Sequence, residues 1–331
     1  MADRFELSYI YARVCGALSR SWAGPRSAEL LRQSRLNDLW RVVFGDAPPL
    51  LPERALLAET ETRVVREALG EFRRFTDQLK RDEPFFLAAR RKAEFARVKL
   101  VLLAVRDAET TCPPSDDPSL PESFHPAAFP RLDAMFAGGR FSWITPAALE
   151  DLPGTENRLD RQYYGELWEA LKTVPASRSA GLKRFLSLEI ELENVMWATR
   201  LSRYYSMAPE VIKPLLVDVG GADVTSAALA AASFKADRRQ DWEGWKYEAY
   251  VRGGGEPWTI DVRALEGELR RLLYRRARLT LHLNPASYAP LYCFYKLKEY
   301  ETAVVLGVVE GIHMGVPSEE MAAFAAAGGQ R

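Results

Sequence analysis

Cysteine is scarce in this chain: Cys15, Cys112 and Cys293 are the only three. They are odd in number and far apart, which fits neither a disulfide framework nor a Cys-pair zinc site, so three reduced thiols are expected. Histidine is equally rare, with His125, His282 and His313. No two of these share the spacing that places ligands on one helix face, and no zinc or iron site is expected. Long hydrophobic runs are also missing. The longest, residues 303–309, is bounded by Glu301 and Glu310 and falls far short of the roughly 20 apolar residues of a spanning helix. Charge of one sign is not in excess, since 45 Lys and Arg balance 45 Asp and Glu. A chain-wide basic footprint for nucleic acid is therefore absent. The opening Met1-Ala2-Asp3-Arg4-Phe5-Glu6 places charges where a secretory signal needs an apolar core. Together these features predict a cytoplasmic protein. Hydrophobic residues make up 47% of the 331, enough for a sizeable core in two or so compact units or one larger helical body.

Catalytic and nucleotide motifs are missing as well. No Gly-x-x-x-x-Gly-Lys-Ser/Thr loop is present, and no Gly pair follows a strand and opens a helix as a dinucleotide fingerprint must. Nucleophile elbows are absent, and no cysteine has a recognisable catalytic context. Asp116-Asp117 lies between prolines, where nothing fixes the separation of the two carboxylates or desolvates one of them. Glu189, Glu191 and Glu193 alternate in sequence, so on a helix they splay around the axis and do not share one site. No cofactor, metal or nucleotide is expected.

What is present is helical periodicity. Phe95, Val98, Leu102 and Val105 recur at steps of three and four, as do Phe185, Leu188, Leu192 and Val195. The best strand candidate, Trp258-Thr259-Ile260, runs into Asp261, an acidic N-cap ahead of Ala264, Leu265, Leu269 and Leu272. The chain reads as all-α. A proline-rich stretch over residues 111–130 cannot continue a helix and is expected to be an irregular connector. It separates a first helical unit (1–110) from a second (131–207) and a third (208–325), with Gly220-Gly221 and residues 253–255 as shorter breaks.

An internal repeat is suggested by Glu59, Asp160 and Asp261, about 100 residues apart near helix starts, each followed by a long helix carrying Glu94, Glu191 or Glu301. Arg97 and Arg200 are candidate partners for Glu94 and Glu191, or for a carboxylate on a neighbouring helix. Ala303, Gly307, Gly311 and Gly315 form a ridge of small residues that serves internal helix packing or an outside helix, with packing the expectation. The aromatics Tyr288, Tyr292, Phe294, Tyr295 and Tyr300 suit a core margin or an interface, with the margin expected.

Three stretches resemble one family. Tyr9-Ile10-Tyr11-Ala12-Arg13 is similar to an N-terminal Tyr-x-x-Ala-Arg. The run Glu191-Leu192-Glu193-Asn194-Val195-Met196-Trp197-Ala198-Thr199-Arg200, continuing to Gly220-Gly221, resembles a Glu-x-x-Asn helix ending in Arg, then a turn, a helix and a Gly pair. Residues 298–321, with Glu299, Glu301, Gly311, Gly315 and Glu319-Glu320, resemble a closing Glu-x-Glu helix. The family is that of the C subunits of the V/A-type (vacuolar/archaeal-type) rotary ATPases, named d in eukaryotic V-type ATPases. The pattern departs in two places: Arg97 and Val304 stand where the Asn of Glu191-x-x-Asn194 would recur, and the proline-rich connector is unusually long.

The resemblance implies an all-α, funnel-like body of three pseudo-repeated units around a pseudo-three-fold axis. It further implies a non-catalytic central-stalk subunit on the cytoplasmic face of the membrane. Such a protein receives stalk subunits D and F and sits on the membrane rotor ring of c or K subunits, transmitting torque for ATP-linked ion transport. Nucleic acid and nucleotide are not among the implied partners. Glu94, Arg97, Glu191, Asn194, Arg200, Glu301, Gly307 and Gly311 are the interface or structural candidates. A generic helical scaffold or adaptor is the alternative, and a helical enzyme with a convergent acidic or metal site comes third.

Overall fold

The computed structural model describes residues 2–79, 83–109, 112, 124–319 and 321. Its helices run α1 (Ala2–Leu18), α2 (Ser27–Leu31), α3 (Leu36–Phe44), α4 (Glu53–Thr76), α5 (Pro84–Arg90), α6 (Lys92–Arg106), α7 (Leu132–Met135), α8 (Leu152–Lys172), α9 (Leu182–Tyr204), α10 (Pro209–Ile212), α11 (Ser226–Ser233), α12 (Val262–Leu283) and α13 (Ala289–His313). The chain is all-α. Among the described residues the strands are β1 (Gly253–Gly254) and β2 (Thr259–Ile260), an antiparallel pair of two residues each. The glycine break and the Thr259-Ile260 signal thus become one small hairpin ahead of α12.

Local chemistry explains the helix ends. The Asp261 carboxylate accepts from the Ala264 N–H at 3.0 Å and caps α12, in keeping with its position ahead of the apolar pattern. Asp151 does the same for α8 through the Gly154 N–H at 3.0 Å. Pro84 opens α5 and Pro290 sits in the first turn of α13, where a missing N–H removes no helical bond. Gly181, just before α9, has φ +77°, and a Cβ there would press on the Asn284 amide. Both the backbone and the space require glycine at that position.

Contacts divide the chain into two units. The first comprises Met1–Asp82, Pro175–Leu192 and Asp237–Arg331; the second comprises Glu83–Val174 and Glu193–Ala236, so the division falls within α9. In the first unit α13 is central. Every residue from Tyr288 to Leu297 is buried, as expected of a helix that is apolar all round. Helices α1, α4 and α12 pack on it. Phe72 of α4 stacks on Tyr295 at 4.4 Å, and Phe75 meets Phe294 edge-on at 5.0 Å. Tyr288, Tyr292, Phe294 and Tyr295 therefore lie in the core and not at its margin, which corrects the sequence expectation. Tyr300 is half-buried against Tyr274. The far end of α13 adds Val304, Val305, Val308 and Val309 to a cluster with Leu30, Leu39, Trp40 and Leu56.

In the second unit α8 packs on α5 and α6. Phe95, Val98 and Leu102 are buried as their spacing required. Phe95 meets Phe141 at 5.0 Å and Tyr163 at 5.6 Å, both edge-on. The connector expected over 111–130 lies mostly outside the described residues, and so does Asp116-Asp117. Within its described end, Phe124 is buried and Pro126–Ala128 form one 3-10 turn.

Glu59 and Asp160 lie inside α4 and α8, whereas Asp261 caps α12. The three helices carrying Glu94, Glu191 and Glu301 are α6, α9 and α13. Helix α13 packs on α12 and α4, and α6 packs on α8.

Candidate functional site

Ionic groups inside the helical packing are the main chemistry of the first unit. Glu189 of α9 is fully buried; its carboxylate forms an ion pair with the Lys296 ammonium at 2.6 Å and accepts a hydrogen bond from the Tyr292 hydroxyl at 2.6 Å. Lys296 also meets Glu299 one turn along α13. Two ions in so dry a place need complete pairing, because each alone would carry a desolvation cost of several kcal/mol. The pair ties α9 to α13.

Glu191, buried two residues further on, faces elsewhere. Its two oxygens accept from the Lys246 ammonium at 2.6 and 2.7 Å. Arg200 is not its partner, which corrects the sequence expectation: at 1.5 Å rise per residue the two lie about 13 Å apart along one helix axis. Glu189 and Glu191 thus diverge to separate lysines, in keeping with their splayed spacing. Glu301 of α13 is buried at the third ionic site. It accepts from Ser21 Oγ at 3.0 Å, from the Trp22 N–H at 3.1 Å and from Lys298 at 2.9 Å, and Lys298 also reaches Glu71 of α4 at 3.1 Å. These contacts fasten the loop after α1 to α13 and α4.

Asn194 is the corresponding polar group of the second unit. Its side-chain amide donates to the Val217 carbonyl at 2.9 Å and the Val224 carbonyl at 2.7 Å, and its oxygen accepts from the Val217 N–H at 2.8 Å. The buried amide holds both ends of the loop that contains Gly220-Gly221. Lys99 of α6 pairs with Asp160 of α8 at 2.7 Å, and Trp197 donates to the same carboxylate at 3.3 Å.

The remaining candidates are more dispersed. Glu94, Arg97 and Arg200 are half-buried. Burial pulls the Arg97 guanidinium below the ordinary arginine range, opposed by the neighbouring Cys112. Along the small-residue ridge, Ala303 is exposed and Gly307 is half-buried. Gly311 is buried beneath Met321, whose side chain occupies the place of a Cβ, and the Val316 N–H returns to the Gly311 carbonyl at 2.8 Å. The ridge is covered at Gly311 by the chain itself.

A feature that sequence reading missed is an open cleft of about 500 Å³ in the second unit, lined by Arg140, Trp143, Arg158, Arg161, Gln162 and Asp218 among others. The Arg158 guanidinium lies 3.9 Å over the Trp143 ring. Among the described residues no three His, Cys, Asp or Glu side chains converge as metal ligands. The three cysteines are free, and His282 is hydrogen-bonded to the Tyr11 hydroxyl at 2.8 Å.

Several groups share one direction of pKa shift. Burial, assisted by the Glu189 carboxylate, pushes the Cys293 thiol well up. Burial and the nearby Glu191 raise the Tyr247 phenol. Burial works against the Lys298 ammonium, but Glu301 and Glu71 outweigh it and hold its pKa above the ordinary lysine value. Each group keeps its proton in the folded protein at pH values where the unfolded chain releases it, so stability falls as pH rises. Thermal melts should be level near pH 7.5 and decline progressively above about 8.5, where free thiols and then phenols and ammoniums titrate. A melting temperature that is flat or rising to about pH 11 would contradict these environments.

Helices tied by ion pairs, with polar groups turned inward to their own neighbours, make up each of the two all-α units. The family model described as ATP synthase (C/AC39) subunit matches residues 52–324, and the chain belongs to that family. It is 25% identical over 316 residues to an uncharacterized protein of Treponema pallidum, covering 93% of this chain and 92% of that one. It is 27% identical over 169 residues to a Methanosarcina mazei protein named as the C subunit of A-type ATP synthase, covering 50% of this chain and 45% of that protein. With the Methanosarcina acetivorans protein of the same name the identity is 28% over 148 residues, or 44% and 40% of the two chains. The chain thus matches less than half the length of these two archaeal proteins. Among the described residues no helix is long and apolar enough to cross a membrane.

Proposed function

We propose that this chain is a non-catalytic central-stalk subunit of an A/V-type rotary ATPase. In this reading it seats the stalk subunits D and F, rests on the membrane rotor ring at its cytoplasmic face, and transmits torque for ATP-linked ion transport. Membership of the ATP synthase (C/AC39) subunit family over residues 52–324 is the observation that carries the proposal. The internal ties agree with it. A coupling element must resist twist, and close-packed helices fastened by Glu189–Lys296 between α9 and α13 and by Lys298–Glu71 between α13 and α4 resist sliding past one another. Three pseudo-repeated units (1–110, 131–207 and 208–325) around one axis belong to the same proposal. The long helices α4, α8 and α12, each followed by a further long helix, support that order of parts. Glu94, Arg97, Arg200 and Gly307 are the candidates for partner contact within it.

The test is reconstitution. The purified chain, mixed with the D–F pair and the detergent-solubilised rotor ring of its own organism, is expected to elute with both as one complex on size exclusion, without hydrolysing ATP alone. Separate elution at concentrations well above micromolar would defeat the stalk assignment.

A further inference from the structure

The second half of α12 carries a surface that the buried ion pairs do not use. Residues 269–283 contain Arg270, Arg271, Arg275, Arg276 and Arg278 and no acidic residue, in a chain whose total charge is zero. Arg275, Arg276 and Arg278 are exposed, and none forms an ion pair among the described residues. On α4 of the same unit the half-buried Arg63 pairs with Asp46 and Glu67, and the exposed Arg66 pairs with Glu59. Two of the three exposed α12 arginines are set near aromatic rings instead. Arg275 lies 5.8 Å from the centre of Tyr250 and Arg278 lies 5.9 Å from that of Tyr274. Ring contacts restrain a guanidinium without neutralising it, so less freedom is lost when an anion binds.

Leucines stand among these arginines. Leu279 and Leu283, one helical turn apart, are 51% and 63% exposed. At 100° per residue they form a ridge with Arg275, Arg278 and His282 on one flank and Arg276 on the other. We propose that this face docks an acidic amphipathic helix of a partner protein, its apolar stripe on Leu279 and Leu283 and its flanking carboxylates on Arg275, Arg276 and Arg278. Charge complementarity selects the sign of the partner, because the guanidinium fork matches a carboxylate in a bidentate pair. Ridge width selects its form. A bilayer surface takes a continuous apolar face several ångströms deep, whereas a single i, i+4 ridge between charges fits the groove of one helix.

The experiment uses the full-length chain and a fluorescein-labelled synthetic helix with leucine at a and d heptad positions and glutamate at e and g, followed by anisotropy. Saturable binding is expected, weakened by about tenfold or more in R275E/R276E/R278E and also in L279S/L283S, and absent for the same peptide with lysine in place of glutamate. Exposed substitutions of this kind should leave the melting temperature close to wild type. If the charge reversal disturbs folding, R275Q/R276Q/R278Q provides the same reading with a smaller change. No saturable binding of the glutamate peptide overturns the proposal, and so does undiminished affinity in either set of variants. Binding to phosphatidylglycerol vesicles without binding to the peptide would replace the helix with a lipid surface and overturn it equally.

Discussion

Replacing Glu189 by alanine should destabilise the protein by about 3–5 kcal/mol, read as a lowered midpoint in urea unfolding. The carboxylate is fully buried and pairs with Lys296 and the Tyr292 hydroxyl. Its removal takes one carboxylate away from a buried ammonium, which keeps its ion pair with Glu299. The contrast that identifies the cause is the triple replacement Glu189→Leu, Tyr292→Phe and Lys296→Met. It removes all three polar groups together, and its stability should return to within about 1–2 kcal/mol of wild type, since buried ion pairs contribute little over well-packed apolar residues. Were the triple variant as unstable as the single one, the loss would come from packing and not from the unbalanced charge. The proposed mechanical role suggests why so costly a group is present. An ion pair between α9 and α13 fixes one register of the two helices, whereas an apolar contact tolerates sliding.

The same pair shows which parts of the fold are legible in the sequence. Helical spacing is local, so Phe95, Val98 and Leu102 announce the buried face of α6, and Asp261 announces the start of α12, from the order of a few neighbouring residues. The partners of the buried carboxylates are not local. Lys246 meets Glu191 across 55 positions of sequence and Tyr292 meets Glu189 across 103, and no spacing rule carries that information. One signal is nevertheless present: Lys296 lies inside a run of residues that are otherwise apolar or aromatic from Leu291 to Leu297, and a lysine there must find a carboxylate if the helix is central. Sequence alone puts the aromatics of that run at a core margin because tyrosine usually keeps its hydroxyl near water. Tyr292 instead spends its hydroxyl on Glu189, and so enters the core whole. The arginine-lined cleft has no precursor in sequence, because Arg140, Arg158 and Arg161 acquire a common meaning only when α8 meets the loop before it.

Asn194→Ala should cost a comparable amount, about 3–5 kcal/mol, by the loss of three hydrogen bonds at a site without solvent. The substitution strands the Val217 N–H and both the Val217 and Val224 carbonyls, and each buried group left unpaired costs about 1–3 kcal/mol. Leucine at this position would add overpacking to the same loss. The informative comparison is Asn194→Asp, which keeps the shape and the acceptor for the Val217 N–H. It replaces the donor with a carboxylate oxygen facing two carbonyls, so near pH 7 it should be at least as unstable as the alanine variant. Lowering the pH should recover part of the difference, because a protonated carboxyl regains a donor. The sign follows from burial and from the two carbonyls, which both raise the aspartate pKa above that of the unfolded chain. The folded state then binds the proton more tightly, and stability rises as pH falls. Urea midpoints at pH 7.5 and pH 5 decide the matter: an aspartate variant equal to wild type at both would show that the two carbonyls find other donors, and that the loop holding Gly220-Gly221 is not fastened through Asn194.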